Sequence, residues 1–194
     1  MNYHGKRIIL HPGQYAVSSE RTAFRTLLGS CVAACLWDES TGIAGMNHFL
    51  LANRRYAQHV PLSQTEAGKY GLHAMELLIN GMLKVGAQRS SIKAKVFGGA
   101  SLFWPDSKDN FLCVGEVNSR FILEFLKTDG IPILAADLGG DTARVIHFMS
   151  DDFTVYVRKI RKSSQKQVLQ QERSLWKTSL ALQKGETAEP ELWL

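Results

Sequence analysis

Cys31-Val32-Ala33-Ala34-Cys35-Leu36-Trp37, then Asp38-Glu39-Ser40-Thr41-Gly42, then Ile43-Ala44-Gly45-Met46-Asn47-His48-Phe49-Leu50-Leu51, is the stretch on which the fold turns. Two apolar runs of strand length flank five residues of turn chemistry. Runs of this kind read as buried strands, and so short a link between them makes a β-hairpin. If the turn centres between Glu39 and Ser40, Cys31 faces His48 across two antiparallel strands, on one side of the sheet. Facing Cβ atoms lie about 4.5–5.5 Å apart. A slip of one residue along either strand would undo the arrangement.

Outward from the hairpin, Arg7 to Leu10 and Tyr15 to Val17 have strand character around Pro12-Gly13. Residues 51–63 read as a loop carrying Arg54, Arg55 and His59. Ser63 with Glu66 matches a capping box, in which each side chain satisfies a free N–H at a helix start. Ala67, Tyr70, Gly71, Ala74, Met75, Leu78 and Met82 follow at helical spacing up to Gly86. Ile92 to Phe97 alternates as a strand does, and Phe111 to Val114 is a further strand candidate. A second helix is expected from Asn118, as its cap, through Phe121, Ile122, Phe125 and Leu126 to Gly130. Ile131 to Ala135, Arg144 to Met149 and Phe153 to Arg158 complete the expected strands. The fold class is therefore α+β: twisted, mostly antiparallel sheets packed with two main helices. After Arg161 the character changes to Gln, Lys and Leu. This predicts a domain over 1–162 and a C-terminal tail over 163–194, a helical or partly disordered appendage outside the core fold, whose Trp193-Leu194 end docks on the protein or a partner.

Composition narrows the function. Hydrophobic residues make up 45% and charged residues 21%, the balance of a globular chain. No apolar stretch approaches the roughly 20 residues of a spanning helix, and Met1 to Arg7 is polar and does not lead into a signal sequence. Three cysteines are too few for a disulfide framework and favour the reducing cytoplasm. The net charge of +5 sits in the N-terminal half, where residues 1–97 hold 11 Lys/Arg against 5 Asp/Glu. These basic residues are scattered, with no aromatic-interleaved motif, so nucleic-acid binding is not expected. Gly98-Gly99 and Gly139-Gly140 match no phosphate-loop pattern and read as tight turns or close backbone approach.

The chemistry lies in Cys31 and His48. A free thiol with a pKa near ~8.5 is mostly protonated at neutral pH, and the thiolate is the nucleophile. An imidazole alongside takes the proton and returns it to the leaving group. Gly29 and Ser30 stand just before the cysteine, where a tight turn would turn backbone N–H groups toward an oxyanion. The separation of Cys31 and Cys35 suits neither a zinc knuckle nor a thioredoxin-type pair. Cys35, Cys113 and, taken singly, Cys31 and His48 are also compatible with plain core positions.

Thr26-Leu27-Leu28-Gly29-Ser30-Cys31-Val32, with Gly45-Met46-Asn47-His48-Phe49 following, resembles the CheD family of chemoreceptor glutamine deamidases. The likeness continues through the helix from Tyr70 to Leu83, through Lys95-Val96-Phe97-Gly98-Gly99-Ala100, and through Asp137-Leu138-Gly139-Gly140 to Val157-Arg158-Lys159, over roughly residues 8–160. It implies a cysteine-hydrolase sandwich and a Cys-His-Thr triad, carried here by Cys31, His48 and Thr26, with Thr26 orienting the imidazole. The implied reaction converts glutamine side chains of methyl-accepting chemoreceptors to glutamate through a thioester, with no metal or organic cofactor. A CheC-type phosphatase is a second candidate partner. Hydrolysis of receptor glutamyl methyl esters, transfer of the acyl group to an amine, and a non-catalytic adaptor role are the alternatives.

Overall fold

The structure, a computed structural model, describes residues 4–51, 65–102 and 114–185. Its elements are β1 (Lys6–Ile9), β2 (Tyr15–Ser18), β3 (Thr22–Leu28), β4 (Val32–Asp38), β5 (Ile43–Asn47), α1 (Glu66–Lys84), β6 (Ile92–Gly98), α2 (Val114–Thr128), β7 (Ile133–Leu138), β8 (Arg144–Met149), β9 (Val155–Lys159) and α3 (Lys162–Gly185). One sheet runs β1-β3-β8-β9 and the other β2-β5-β4-β6-β7. Pairing is antiparallel except for β1 with β3 and β6 with β7. The expected α+β class with mostly antiparallel sheets is the observed one.

The unbroken apolar run in β4 has a simple cause. Its odd residues, Ala33, Cys35 and Trp37, face a core shared with Phe24 and Leu28 of β3 and Ile146 and Phe148 of β8. Its even residues, Val32, Ala34 and Leu36, face a second core with Met75, Leu78 and Met82 of α1 and Phe121, Ile122 and Leu126 of α2. A central strand covered on both faces has no polar side to alternate with. Each fully buried Phe or Leu in these layers contributes roughly 1.5–3 kcal/mol.

The hairpin forms, but in another register than the one expected. Cys35 faces Met46 and Val32 faces Phe49. The turn is centred between Ser40 and Thr41, because Asp38 Oδ1 accepts from Ser40 N and Oγ, and Gly42 (φ 72°) closes back onto the Asp38 carbonyl. Cys31 therefore lies opposite Leu50, with His48 on the diagonal. The offset of two positions keeps Cys31 and His48 on the same face, since side chains repeat with period two.

Other expectations shift as well. Thr65 caps α1, its Oγ1 accepting from Gly68 N; Ser63 lies outside the described residues. Val114, expected in a strand, begins α2, while 111–113 lie outside the described residues. Arg54, Arg55, His59, Cys113 and Trp193-Leu194 lie outside them too. Asn118 is a buried residue inside α2, not its cap. The strand β3, not anticipated as a strand, pairs along its length with β8. Strands β1 and β2 are not partners: the turn around Gly13 (φ 85°) carries the chain from one sheet to the other. The segment expected as an appendage outside the core forms α3 and instead packs Val168, Leu169 and Trp176 into the core between the sheets, because its apolar residues recur at helical spacing on one face.

Candidate active site

The chain crosses between the sheets for the third time at Gly29-Ser30-Cys31, which joins β3 to β4. Neighbouring elements take all three carbonyls of this link. Gly29 O accepts from Ala100 N at 2.8 Å, Ser30 O from Asn118 Nδ2 at 2.7 Å, and Cys31 O from Gly99 N at 2.8 Å. Asn118 also accepts from Leu51 N at 2.8 Å, so one buried amide ties the link to the chain beyond β5. The approach requires glycine beside it: Gly98 has φ 115°, and a Cβ there would lie 2.1 Å from Cys31 O.

With its carbonyls held, the link turns its N–H groups to one point. Glu172 of α3 occupies that point. Its Oε1 accepts from Gly29 N at 2.8 Å and approaches Cys31 N at 3.4 Å; its Oε2 accepts from Ser30 N and Ser30 Oγ, both at 2.7 Å. Converging backbone N–H groups of this kind form an anion-binding nest. Gly29 and Ser30, expected to support an oxyanion, thus present N–H groups to a carboxylate.

Thr26 projects inward from β3, and His48 follows the end of β5. Thr26 Oγ1 lies 2.7 Å from His48 Nδ1 and 2.8 Å from the Leu10 carbonyl oxygen. The carbonyl can only accept, so the hydroxyl proton goes to Leu10. Thr26 Oγ1 must then accept from Nδ1–H, which leaves the His48 lone pair on Nε2. Nε2 is buried and has no hydrogen-bond partner among the described residues. The His48 backbone is fixed by bonds to Gln14 O (2.9 Å) and from Gly13 N (2.7 Å). Two of the sheet crossings contribute here: Leu10 to Gln14 holds the imidazole, and Gly29 to Cys31 carries the thiol.

Both groups are neutral in this arrangement. Burial pushes His48 down to about 3, opposed by the Leu10 carbonyl and aided by His11. Burial pushes the Cys31 thiol up, and the Glu172 charge pushes it further. Cys31 has no exposed surface. A cleft of about 640 Å³ reaches Thr26 and His48 from one side and is walled on the other by Val168, Gln171, Glu172 and Leu175 of α3. No group of three or more His, Cys, Asp or Glu among the described residues is arranged to hold a metal ion, and no helix among them is long and apolar enough to cross a membrane.

Sequence reasoning did not single out Glu172, or Asn118 in this role. Both carried a signal. Glu172 interrupts an apolar stripe, Val168, Leu169, Leu175 and Trp176, at helical spacing, and Asn118 stands among Val114, Val117, Phe121 and Ile122. A polar residue on a buried stripe has a partner to find.

Comparison with known proteins shows the family. Residues 50–159 match the family model described as CheD chemotactic sensory transduction. A protein of Geobacter sulfurreducens named "Probable chemoreceptor glutamine deamidase CheD 1" is 49% identical over 192 residues, 98% of this chain and 96% of its own length. "Probable chemoreceptor glutamine deamidase CheD 2" of Shewanella oneidensis is 45% identical over 152 residues, 77% of this chain and 74% of its own. A CheD protein of Rhizobium leguminosarum bv. trifolii is 46% identical over 144 residues, 74% of each chain. With a family model matching more than half of its length and relatives matching over nearly all of it, the chain belongs to the CheD family.

Proposed function

We propose that this protein is a protein-glutamine glutaminase that deamidates glutamine side chains of methyl-accepting chemoreceptors to glutamate, working on their cytoplasmic part. The observation that carries the reading is the nest of Gly29, Ser30 and Cys31 N–H groups beside a thiol, with Thr26 holding His48 in its Nδ1–H tautomer. Cys31 is the nucleophile, His48 the general base and acid, and Thr26 the residue that orients the ring. Residues 1–162 form the catalytic domain and 163–194 the tail.

The reaction follows from these roles. His48 Nε2 takes the thiol proton as Sγ attacks the carboxamide carbon. The oxygen gains negative charge within reach of the nest, where preorganised donors lower the barrier most. His48 returns the proton to nitrogen, ammonia departs, and a thioester remains. Water, deprotonated by His48, attacks the thioester; glutamate leaves and the thiol is restored. General acid–base assistance of this kind contributes roughly 10²–10⁴-fold. Each turnover adds one negative charge to the receptor and creates a glutamate open to methylation.

The test is the mass of receptor peptides after incubation with the wild type and with Cys31→Ala. Replacing NH₂ by OH adds about one dalton per glutamine through the acyl-enzyme route. The gain is expected with the wild type and absent with the variant, which still binds receptor. No gain with wild-type protein on any receptor peptide refutes the proposal; a gain that survives Cys31→Ala refutes the role of Cys31.

A further inference from the structure

The proposed chemistry needs a thiol that a protein side chain can reach, yet Cys31 is completely covered and Glu172 fills the nest beside it. We propose that α3 is a built-in pseudo-product: its Glu172 side chain occupies the seat of the glutamate formed by deamidation, and the enzyme works when α3 swings away. The inference rests on the deamidase reading for what the seat binds, though not for the closure itself.

The donor pattern favours a product over a substrate. Gly29 N, Ser30 N, Ser30 Oγ and Cys31 N all point at the two carboxylate oxygens. A carboxylate only accepts, so it satisfies every one of them. A carboxamide in the same place turns its NH₂ toward donors, and only the Ser30 hydroxyl can rotate to meet it. The seat therefore holds the side chain of glutamate more firmly than that of glutamine. It also receives this side chain from the middle of a helix.

The helix is fastened on either side of Glu172. Val168 and Leu169 precede it by one turn and Trp176 follows by one turn, all buried against the core between the sheets. Leu175 and Gln171 border the cleft that leads to His48 and Thr26. The same carboxylate also acts electrostatically: burial pushes the neighbouring thiol up, and the Glu172 charge adds to that push. Removing α3 from the seat would open the path to Cys31, free the N–H groups and withdraw that charge together. A substrate helix presenting glutamine in the same way would compete for the position.

Glu172→Gln tests this with nearly unchanged shape. The full-length wild type and variant are treated with iodoacetamide, and alkylation of Cys31 and Cys35 is followed separately by peptide mass, with hydrogen exchange of the α3 amides recorded in parallel. Weakening a charge-assisted hydrogen bond is expected to raise Cys31 alkylation roughly tenfold or more and to speed exchange along α3, while Cys35 stays protected. Three results overturn the proposal: unchanged Cys31 labelling, faster labelling with unchanged α3 exchange, or Cys31 and Cys35 rising together. Receptor deamidation by the same samples separates the two claims. If Cys31 and α3 respond as expected but no receptor glutamine is converted by either protein, the closure stands and the deamidase reading falls.

Discussion

Thr26→Val replaces a hydroxyl by a methyl of nearly equal size and touches the one group that sets the histidine tautomer. In the native protein Thr26 donates to the Leu10 carbonyl and accepts from His48 Nδ1–H. Valine leaves both buried groups without that partner. An unsatisfied buried polar group costs about 1–3 kcal/mol, so the two together should lower stability by roughly 2–4 kcal/mol after partial relaxation. The Nδ1–H penalty also falls selectively on the tautomer whose Nε2 can receive a thiol proton. At 1.4 kcal/mol per decade, a penalty of about 1–3 kcal/mol depletes that tautomer roughly 5- to 150-fold. The rate constant for receptor-glutamine deamidation should fall by this factor, with peptide binding little changed. Thr26→Ser keeps the oxygen and should recover most of the loss. The assay is the one-dalton mass gain timed under saturating peptide, beside a thermal melt of each variant. A Thr26→Val enzyme with wild-type kcat, or a Thr26→Ser enzyme as slow as the valine variant, would refute the argument that this hydroxyl fixes the ring.

Two further outcomes follow from the same structure. His48 has a folded pKa near 3 against 6.5 in an unfolded chain, so below pH 6.5 the unfolded state takes up a proton that the folded state refuses. Stability contributed by the neutral ring is complete above that pH and declines as pH drops, by roughly 2–3 kcal/mol on reaching about pH 4.5. His48→Gln should remove this part of the slope in urea titrations across the interval; an unaltered slope would mean that His48 does not stay neutral in the fold. Gly98→Ala combines a positive φ with a Cβ 2.1 Å from Cys31 O. A loss on the order of 3 kcal/mol or more is expected, read as a lowered melting temperature, and a variant as stable as the wild type would contradict the close approach of Gly98 to the Cys31 carbonyl.

The closed site and the proposed chemistry fit together as two states of one molecule. With Glu172 seated, thiol and imidazole are both neutral and water has no route to Cys31. Such a resting form protects a nucleophilic sulfur from adventitious alkylation and oxidation, since the reactive species is the exposed thiolate. The three held carbonyls keep the nest in shape, so opening demands only the movement of α3.

Much of this architecture was legible in the chain. Apolar runs of strand length around Asp38 to Gly42 announced a hairpin, because two short buried segments joined by turn chemistry have few other ways to pair their backbone groups. Helical periodicity marked α1, and the Gln-rich helix after Arg161 was visible from composition. Cys31 and His48 stood out through their residue types, whereas Thr26 was marked only by the family resemblance. The register of the hairpin did not stand out, since moving the turn centre by one residue moves every partner by two, and the Asp38 carboxylate that decided it makes its bonds only in the folded turn. Strand β3 was missed because its apolar alternation is broken: Thr26 puts a polar group on the buried face between Phe24 and Leu28, and the opposite face mixes buried Ala23 with exposed Arg25 and half-buried Leu27.

What the sequence alone determined is local: which segments are extended, which are helical, and that a cysteine and a histidine stand at the ends of adjoining strands. What tertiary structure decided is convergence. The Leu10 carbonyl, the Asn118 amide and the Glu172 carboxylate come from positions 16, 88 and 142 residues away from the groups they hold. Local propensity is blind to such distances, because a buried polar group is committed to a partner only when packing has removed water from both.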